Sequence, residues 1–387
     1  MSRFSPFSPL RRALLLSALA APTAAQAVPV RRGRGLTFPR DHGAHLDARI
    51  EWWYATGWLD NARLGFQVTF FRSRTGLAET PSGPPAASSR FAPRQLLFAH
   101  AAITDVAAGR HWHDERIVRW SGDAASTTAR ATEADADVQI ASSGLWRLWR
   151  ESEAAGNSTP VRWRSRIAAR DFTLDLTMTR TQPLLLQGDA GFSRKGPDEA
   201  QASHYYSEPQ LDTRARVTRE GRTLDATGRA WIDQEWSEQI LHPEAVGWDW
   251  IGMNLLDGSA LTAFRLRRRD GTALWAGGSF RAPAAQAAAP SQGTASTNFA
   301  PEAVRWTPGR RWRSPATSAE YPVGWRIDTP AGTFEVRALL DAQELDSRGS
   351  TGAIYWEGLS ELLDAQGRRI GLGYLEMTGY AAPLRLG

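Results

Sequence analysis

The sequence predicts a mostly β protein, with antiparallel strands closed into sandwiches or barrels and divided between two domains. Three observations lead there. Apolar and polar side chains alternate with a period of two in several segments, Asp-Gly turns separate apolar runs, and long helical periodicity is scarce. The chain of 387 residues exceeds one ordinary domain, and a hydrophobic content of 42% is ample for cores of normal size.

The elements follow in order. In EWWYATGWL (51–59), strand alternation puts Trp52 and Tyr54 on one face and Glu51 and Trp53 on the other, so neither face is open to solvent. Leu64, Phe66, Val68 and Phe70 alternate with Gly65, Gln67, Thr69 and Phe71. Val161, Trp163 and Ile167 alternate with Arg162, Arg164 and Arg166. Phe172, Leu174, Leu176 and Met178 alternate with Thr173, Asp175, Thr177 and Thr179, as a half-buried strand does. The stretch VTREGRTLDATG reads as a hairpin. So do Asp257-Gly258, between WIGMNLL and ALTAFRLR, and Asp270-Gly271 further on. Residues 73–94 and 282–302, rich in Pro, Ala, Ser and Gly, read as loops. The first is either a cover over a barrel mouth or a tolerated insertion. SEQILHPEAVG (237–247) breaks the strand pattern, and the chain divides there into an N-terminal domain, 36–240, and a C-terminal domain, 241–387.

Residues 1–27 read as a signal peptide. Arg3, Arg11 and Arg12 precede the short apolar run ALLLSALAA, and Ala25-Gln26-Ala27 supplies an A-x-A cleavage site. The protein is therefore expected outside the cytoplasm, periplasmic or secreted, by the general or the twin-arginine route. Cysteine is absent, which excludes disulfides, thiolate metal sites and a Cys nucleophile. Removing the three signal arginines lowers the formal charge from +5 to +2. Lys195 is the only lysine. LWRLWRE and VRWRSR interleave Arg with Trp, but at a period of two, as strands with one charged face do. No nucleic-acid partner is expected, whereas contact with an anionic membrane surface stays open.

There is no G-x-S-x-G elbow, Walker loop, HExxH or dinucleotide fingerprint. Asp41, His42, His45 and Asp47 cluster, as do His111 and His113, but neither group has a recognised metal-ligand spacing. His100, in LLFAHAAITDV, reads as a hydrogen-bonded core histidine. The richer constellation spans 204–236. HYYS supplies His204 and Tyr206 on one strand face, and AWIDQEWS supplies Trp231, Asp233 and Glu235 on one face of the next strand. If these faces line one cavity, a carboxyl among aromatic walls would have a raised pKa suited to a general acid. The plainer reading is packing for the tryptophans and solvation for the aspartate.

FPRDHGAHLDARIEWWYATGWL, FQVTFFR, LLFAHAAITDV, LLLQGDAGFSRKGP, SHYYS, AWIDQEWS and GWDWIGMNLLDG resemble, in order, the secreted lipocalin-like family related to carotenoid 1,2-hydratase (hydroxyneurosporene synthase), also called AttH-type. The likeness continues through YPVGWRI, AQELD, YWEGLSEL and GYLEMTGY and covers about residues 36–380. The resemblance implies two lipocalin-like antiparallel β-barrel domains packed together, with an apolar ligand cavity in or between them. It implies cofactor-independent hydration of a polyene or terpenoid. Asp233 would protonate the alkene, Tyr206 and Trp231 would face the cation, and His204 would position or deprotonate the water. Trp52, Trp53, Tyr54, Glu235 and Trp236 are expected to contact the ligand. Asp233 is followed by Gln234 and Glu235, not by the His-Asn expected of carotenoid hydratases. The alternative is a non-catalytic carrier of a lipid or other apolar molecule, serving an ABC-type exporter. No metal or cofactor is expected in either case.

Overall fold

The computed structural model describes residues 30–61, 63–75, 94–151, 160–239, 241–283 and 296–384. The expected signal peptide lies outside these residues, as does most of the two loop segments. Among the described residues the fold is nearly all β, with two short 3-10 turns, Arg40–His42 and Pro301–Ala303.

The first sheet comprises β1 (Ile50–Leu59), β2 (Leu64–Arg74), β3 (Gln95–Asp105), β4 (Arg110–Trp120), β5 (Ala129–Ala131), β6 (Asp137–Ile140), β7 (Trp146–Glu151), β8 (Arg162–Ala168), β9 (Phe172–Thr179), β10 (Leu185–Leu186), β11 (Phe192–Arg194), β12 (Ala202–Arg219) and β13 (Arg222–Ser237). Its order is β4-β3-β2-β1-β13-β12-β9-β8-β7-β6-β5, with β10 and β11 on β12. The far strands β5 and β6 return against β4, so the sheet curls into a near-closed, lipocalin-like barrel. Its interior is filled by Trp53, Phe66, Val68, Phe70, Trp163 and Ile232 with their neighbours.

The second sheet begins at Ala245. It comprises β14 (Ala245–Leu255), β15 (Ala260–Arg268), β16 (Ala273–Arg281), β17 (Ser296–Asn298), β18 (Arg305–Pro308), β21 (Gly324–Thr329), β22 (Gly332–Ala338), β23 (Glu344–Ser347), β24 (Ala353–Leu363) and β25 (Arg369–Thr378). Between β18 and β21, the short strands β19 (Arg311–Arg313) and β20 (Glu320–Pro322) pair separately. The order of the second sheet is β17-β16-β15-β14-β25-β24-β22-β21-β18, with β23 on β24. Trp325, Trp356, Ile327 and Leu375 belong to its own core.

Local expectations hold where local chemistry decides them. β9 alternates buried Phe172, Leu174, Leu176 and Met178 with more accessible neighbours. Turns follow the backbone freedom of their residues: Glu220 (φ 48°) and Gly221 (φ 75°) close the β12–β13 hairpin. Gly258 and Gly271 stand at the β14–β15 and β15–β16 turns.

β2 departs from its expected half-burial, because Gly65, Gln67 and Thr69 are buried along with the apolar set. The second sheet covers the outer face of the first there. Tyr54 and Trp231 form one cluster with Trp250, Leu359, Leu372 and Tyr374 from the other side. The approach leaves no space for a side chain at Gly65, where a Cβ would stand 2.7 Å from the Tyr374 hydroxyl and 2.9 Å from Leu359 Cβ. A bulge in β12 between Glu208 and Leu211 breaks the register with β13 and turns Gln210 toward the second sheet. There Asn254 Oδ1 accepts from the Gln210 backbone N–H at 2.7 Å, and Gln210 Nε2 donates to the carbonyls of Leu255 and Ser259.

Candidate active site

Register decides which residues meet. In an antiparallel pair, directly opposed residues project from the same face. Asp233 is opposite Tyr54 on β1 and Ser207 on β12, while Glu235 is opposite Trp52 and Tyr205. Trp52, Tyr54, Tyr205, Ser207, Trp231, Asp233 and Glu235 therefore share the outer face of the barrel, the face the second sheet covers. Between the two sheets lies a cavity of about 800 Å3. Trp52, Tyr54, Tyr205, Asp233 and Glu235 line it from the first sheet, and Trp248, Trp250, Phe264, Tyr355, Glu357 and Glu376 from the second.

Asp233 is 3% exposed and accepts three hydrogen bonds. Ser207 Oγ (2.5 Å) and the Trp231 indole N–H (2.7 Å) both donate to Oδ1, and Tyr205 Oη donates to Oδ2 at 2.8 Å. Burial pushes the Asp233 pKa up to about 7; the charge of Glu235 adds to the rise, and the three donors oppose it. A carboxylate offers about four lone-pair positions. Oδ1 fills two and Oδ2 one, so the open position on Oδ2 is where a proton can sit. Such a group can give up a proton near neutral pH, and its donors are already aimed at the anion that would result.

Around it, the Trp250 indole N–H donates to Tyr205 Oη at 3.2 Å. The Trp250 ring meets Tyr54 edge-on at 5.4 Å and Trp231 at 6.3 Å between centroids. Lys195 Nζ lies 2.9 Å from Glu235 Oε1 and within 4.6 Å of the ring centres of both Tyr205 and Phe264. An ammonium fits between two such faces more compactly than a guanidinium would, a physical reason for a lysine in a chain otherwise rich in arginine.

Four of the expected site residues stand elsewhere. Tyr206 and Trp53 are both opposite Gln234, and His204 is opposite Trp236, so all four occupy the inner face of the barrel. Tyr206 Oη donates to Gln234 Oε1 at 2.6 Å and lies 2.5 Å from His42 Nδ1. Trp53 donates its indole N–H to the His42 carbonyl at 3.0 Å. Trp236 stacks on His45 at 3.7 Å. His204 packs against Trp236, and burial lowers its pKa to about 4. The correction has one cause. The face of β12 that pairs with Asp233 and Glu235 carries Tyr205 and Ser207, whereas His204 and Tyr206 project from the other face and share no cavity with the acid.

The Asp41–His45 cluster is a buried ion network. His45 Nε2 lies 3.0 Å from Asp41 Oδ1 and Nδ1 lies 2.6 Å from Glu51 Oε1. Arg72 Nε donates to Glu51 Oε2 at 3.1 Å. With a carboxylate at each ring nitrogen, His45 is a two-way donor with no lone pair to offer a metal. No group of three or more potential metal ligands occurs among the described residues. His100 is buried and hydrogen-bonded, to Tyr355 Oη (2.6 Å) and Ser350 Oγ (2.8 Å), but it belongs to the cavity wall between the sheets.

The profile of the AttH-like family matches residues 29–380. The chain belongs to the AttH-like family. Among solved structures, this AttH-like chain is similar to a candidate AttH from Nitrosomonas europaea, with 44% identity over 91% of this chain and 99% of that one and a TM-score of 0.78. Kievitone hydratase from Nectria haematococca shares the fold at 15% identity and a TM-score of 0.62, covering 93% and 97% of the two chains. CghA does so at 14% identity and a TM-score of 0.51, covering 88% and 89%. A search of curated proteins finds no match to this AttH-like sequence.

Proposed function

We propose that this AttH-like protein is a cofactor-independent hydratase that adds water across a double bond of an apolar polyene or terpenoid, with Asp233 as the general acid. The observation that carries the reading is the open position on Asp233 Oδ2, in a carboxyl whose pKa is raised to about 7 within an aromatic cavity. Protonation of the alkene forms a C–H bond and leaves a tertiary carbocation, while Asp233 becomes a carboxylate held by Tyr205, Ser207 and Trp231. The faces of Trp250 and Tyr54 flank the cation. Water attacks, the C–O bond forms, and loss of its proton gives the alcohol. The fold shared with kievitone hydratase adds weight to hydration as the reaction class. The signal read from residues 1–27 sets this reaction in the periplasm or outside the cell.

The test is hydration of an acyclic polyprenoid such as lycopene by the wild type and by Asp233→Asn. The variant should lose about a hundredfold or more in rate with its β-type circular dichroism unchanged. Turnover retained in a folded variant would overturn the acid assignment. If the wild type binds lycopene without converting it, the carrier reading replaces the enzymatic one.

A further inference from the structure

Across the cavity from Asp233 stands a second acidic group, which the hydration steps above do not use. Glu357 on β24 is directly opposite Glu376 on β25, so the two carboxyl side chains leave the sheet side by side on its inward face. Both line the cavity. Glu357 is 2% exposed, and its Oε1 is buried with no hydrogen-bond partner. Tyr54 Oη faces it from β1, close enough to feel its charge, yet closes no bond of ordinary geometry. Two buried polar atoms thus aim into one space, with only this weak contact between them. A native site of this kind calls for a ligand group or an ordered water.

Among the described residues no cation forms an ion pair with Glu357 or Glu376. Lys195 is taken by Glu235, and Asp249, behind the sheet, is held by Arg265 Nε at 2.7 Å. Tyr355 and Tyr374 lie on the same face as the pair and feel its charge. Asp233 and Glu235 approach from the first sheet and, like Asp249, add negative potential at Glu376. Burial first, and the charge of Glu376 second, disfavour ionising Glu357, so the pair resists carrying two charges at once.

Building on the hydratase reading, we infer that Glu357 and Glu376 form the counter-charge and base of the site: the pair faces the carbocation made by Asp233 and receives the proton of the attacking water. The ledger of the reaction balances. Asp233 gives one proton to carbon, water gives its hydroxyl to the cation and its proton to the Glu357–Glu376 pair, and the pair returns a proton to Asp233 through solvent. A cavity so built favours positive charge over neutral and rejects negative charge, even in ligands with the same hydrocarbon chain. An ammonium amphiphile, imitating the cation, binds tighter than the ground state it replaces.

The test uses three ligands of one chain length: farnesylamine, farnesol and farnesoic acid. Binding is followed by calorimetry and by quenching of tryptophan fluorescence at pH 7. In the wild type the amine should bind about tenfold or more tighter than the alcohol, with the acid weakest. Glu357→Gln and Glu376→Gln should erase most of the preference for the amine over the alcohol. An amine that binds the wild type no better than the alcohol overturns the inference, and that comparison needs no variant to fold. So does a preference that survives both substitutions but vanishes in Asp233→Asn, which would place the charge sensing at Asp233. The hydratase reading is judged separately by lycopene turnover. Loss of turnover in Asp233→Asn with unaltered turnover in Glu376→Gln keeps the acid and discards the base.

Discussion

Trp250 and Tyr205 meet across the boundary between the two sheets, the indole N–H of one donating at 3.2 Å to the hydroxyl of the other. Tyr205 passes the orientation on, donating to Asp233 Oδ2 at 2.8 Å. The second sheet thereby fixes the direction of a donor that serves an acid on the first. Tyr205→Phe should remove one of the three groups that oppose the rise in the Asp233 pKa. The alkaline limb of the pH–rate profile should move to higher pH while the rate falls by about tenfold to a hundredfold. Trp250→Phe should show the same shift, but smaller. A rate loss with an unmoved limb would mean that Tyr205 contributes shape only.

The raised pKa of Asp233 has a consequence for stability. Its value in the folded protein, about 7, lies above the ordinary carboxylate range, so the native state binds more protons than the unfolded chain between roughly pH 4 and pH 7. The contribution of this group is present at low pH and is lost as pH rises through that window. Asp233→Asn removes the dependence. The stability of the variant relative to wild type, measured by urea unfolding, should therefore increase from pH 4 to pH 7 by a few kcal/mol, on the order of what such a shift implies, and then level off. A difference independent of pH would show Asp233 ionised throughout.

His45 has the opposite origin and a similar sign. Burial disfavours its cation, but Glu51 and Asp41 outweigh burial and hold its pKa above the ordinary histidine value. Its stabilisation is fully present below about pH 6.5 and is lost as pH passes the folded value. His45→Gln should cost about 3 kcal/mol at pH 6, because Glu51 and Asp41 lose a buried partner. That cost should shrink toward pH 9. An unchanging cost would assign His45 a packing role against Trp236 alone.

Gly65→Ala tests how tightly the sheets are joined. A methyl group there meets Tyr374 Oη and Leu359 Cβ at under 3 Å. The sheets must part or β2 must shift, at about 1–3 kcal/mol. Thermal unfolding should move to lower temperature, and farnesol affinity should fall with it, since the cavity is walled by the same two sheets that must part. Loss of stability without loss of affinity would separate the two.

Much of this was legible in the chain. Alternation in 172–179 and the Asp-Gly turns depend on neighbours in sequence, and the structure follows them. The common face of Trp231, Asp233 and Glu235, and of Trp52 and Tyr54, also follows from a period of two. What could not be read was parity between strands. A shift of one residue in register exchanges Tyr205 and Ser207 for His204 and Tyr206 beside Asp233, and nothing local in HYYS settles which pair faces the acid. The two-sided burial of β2 was hidden for a related reason, because part of its cover comes from β24, almost three hundred residues away. Glu357 and Glu376 lay inside YWEGLSEL and GYLEMTGY, segments that carried the family likeness. Their meeting needs the β24–β25 pairing, which no spacing rule reveals.

The two-sided burial of β1 separates two kinds of inheritance along ten residues. Glu51 and Trp53 answer to the barrel interior, through Arg72 and the His42 carbonyl, whereas Trp52 and Tyr54 answer to the cavity. Saturation mutagenesis of this strand, scored for abundance and for turnover, should give two interleaved combs. Abundance should collapse at 51, 53 and 55, and turnover at 52 and 54. A lineage could then change what it acts on by drifting at even positions while its odd positions keep the vessel intact.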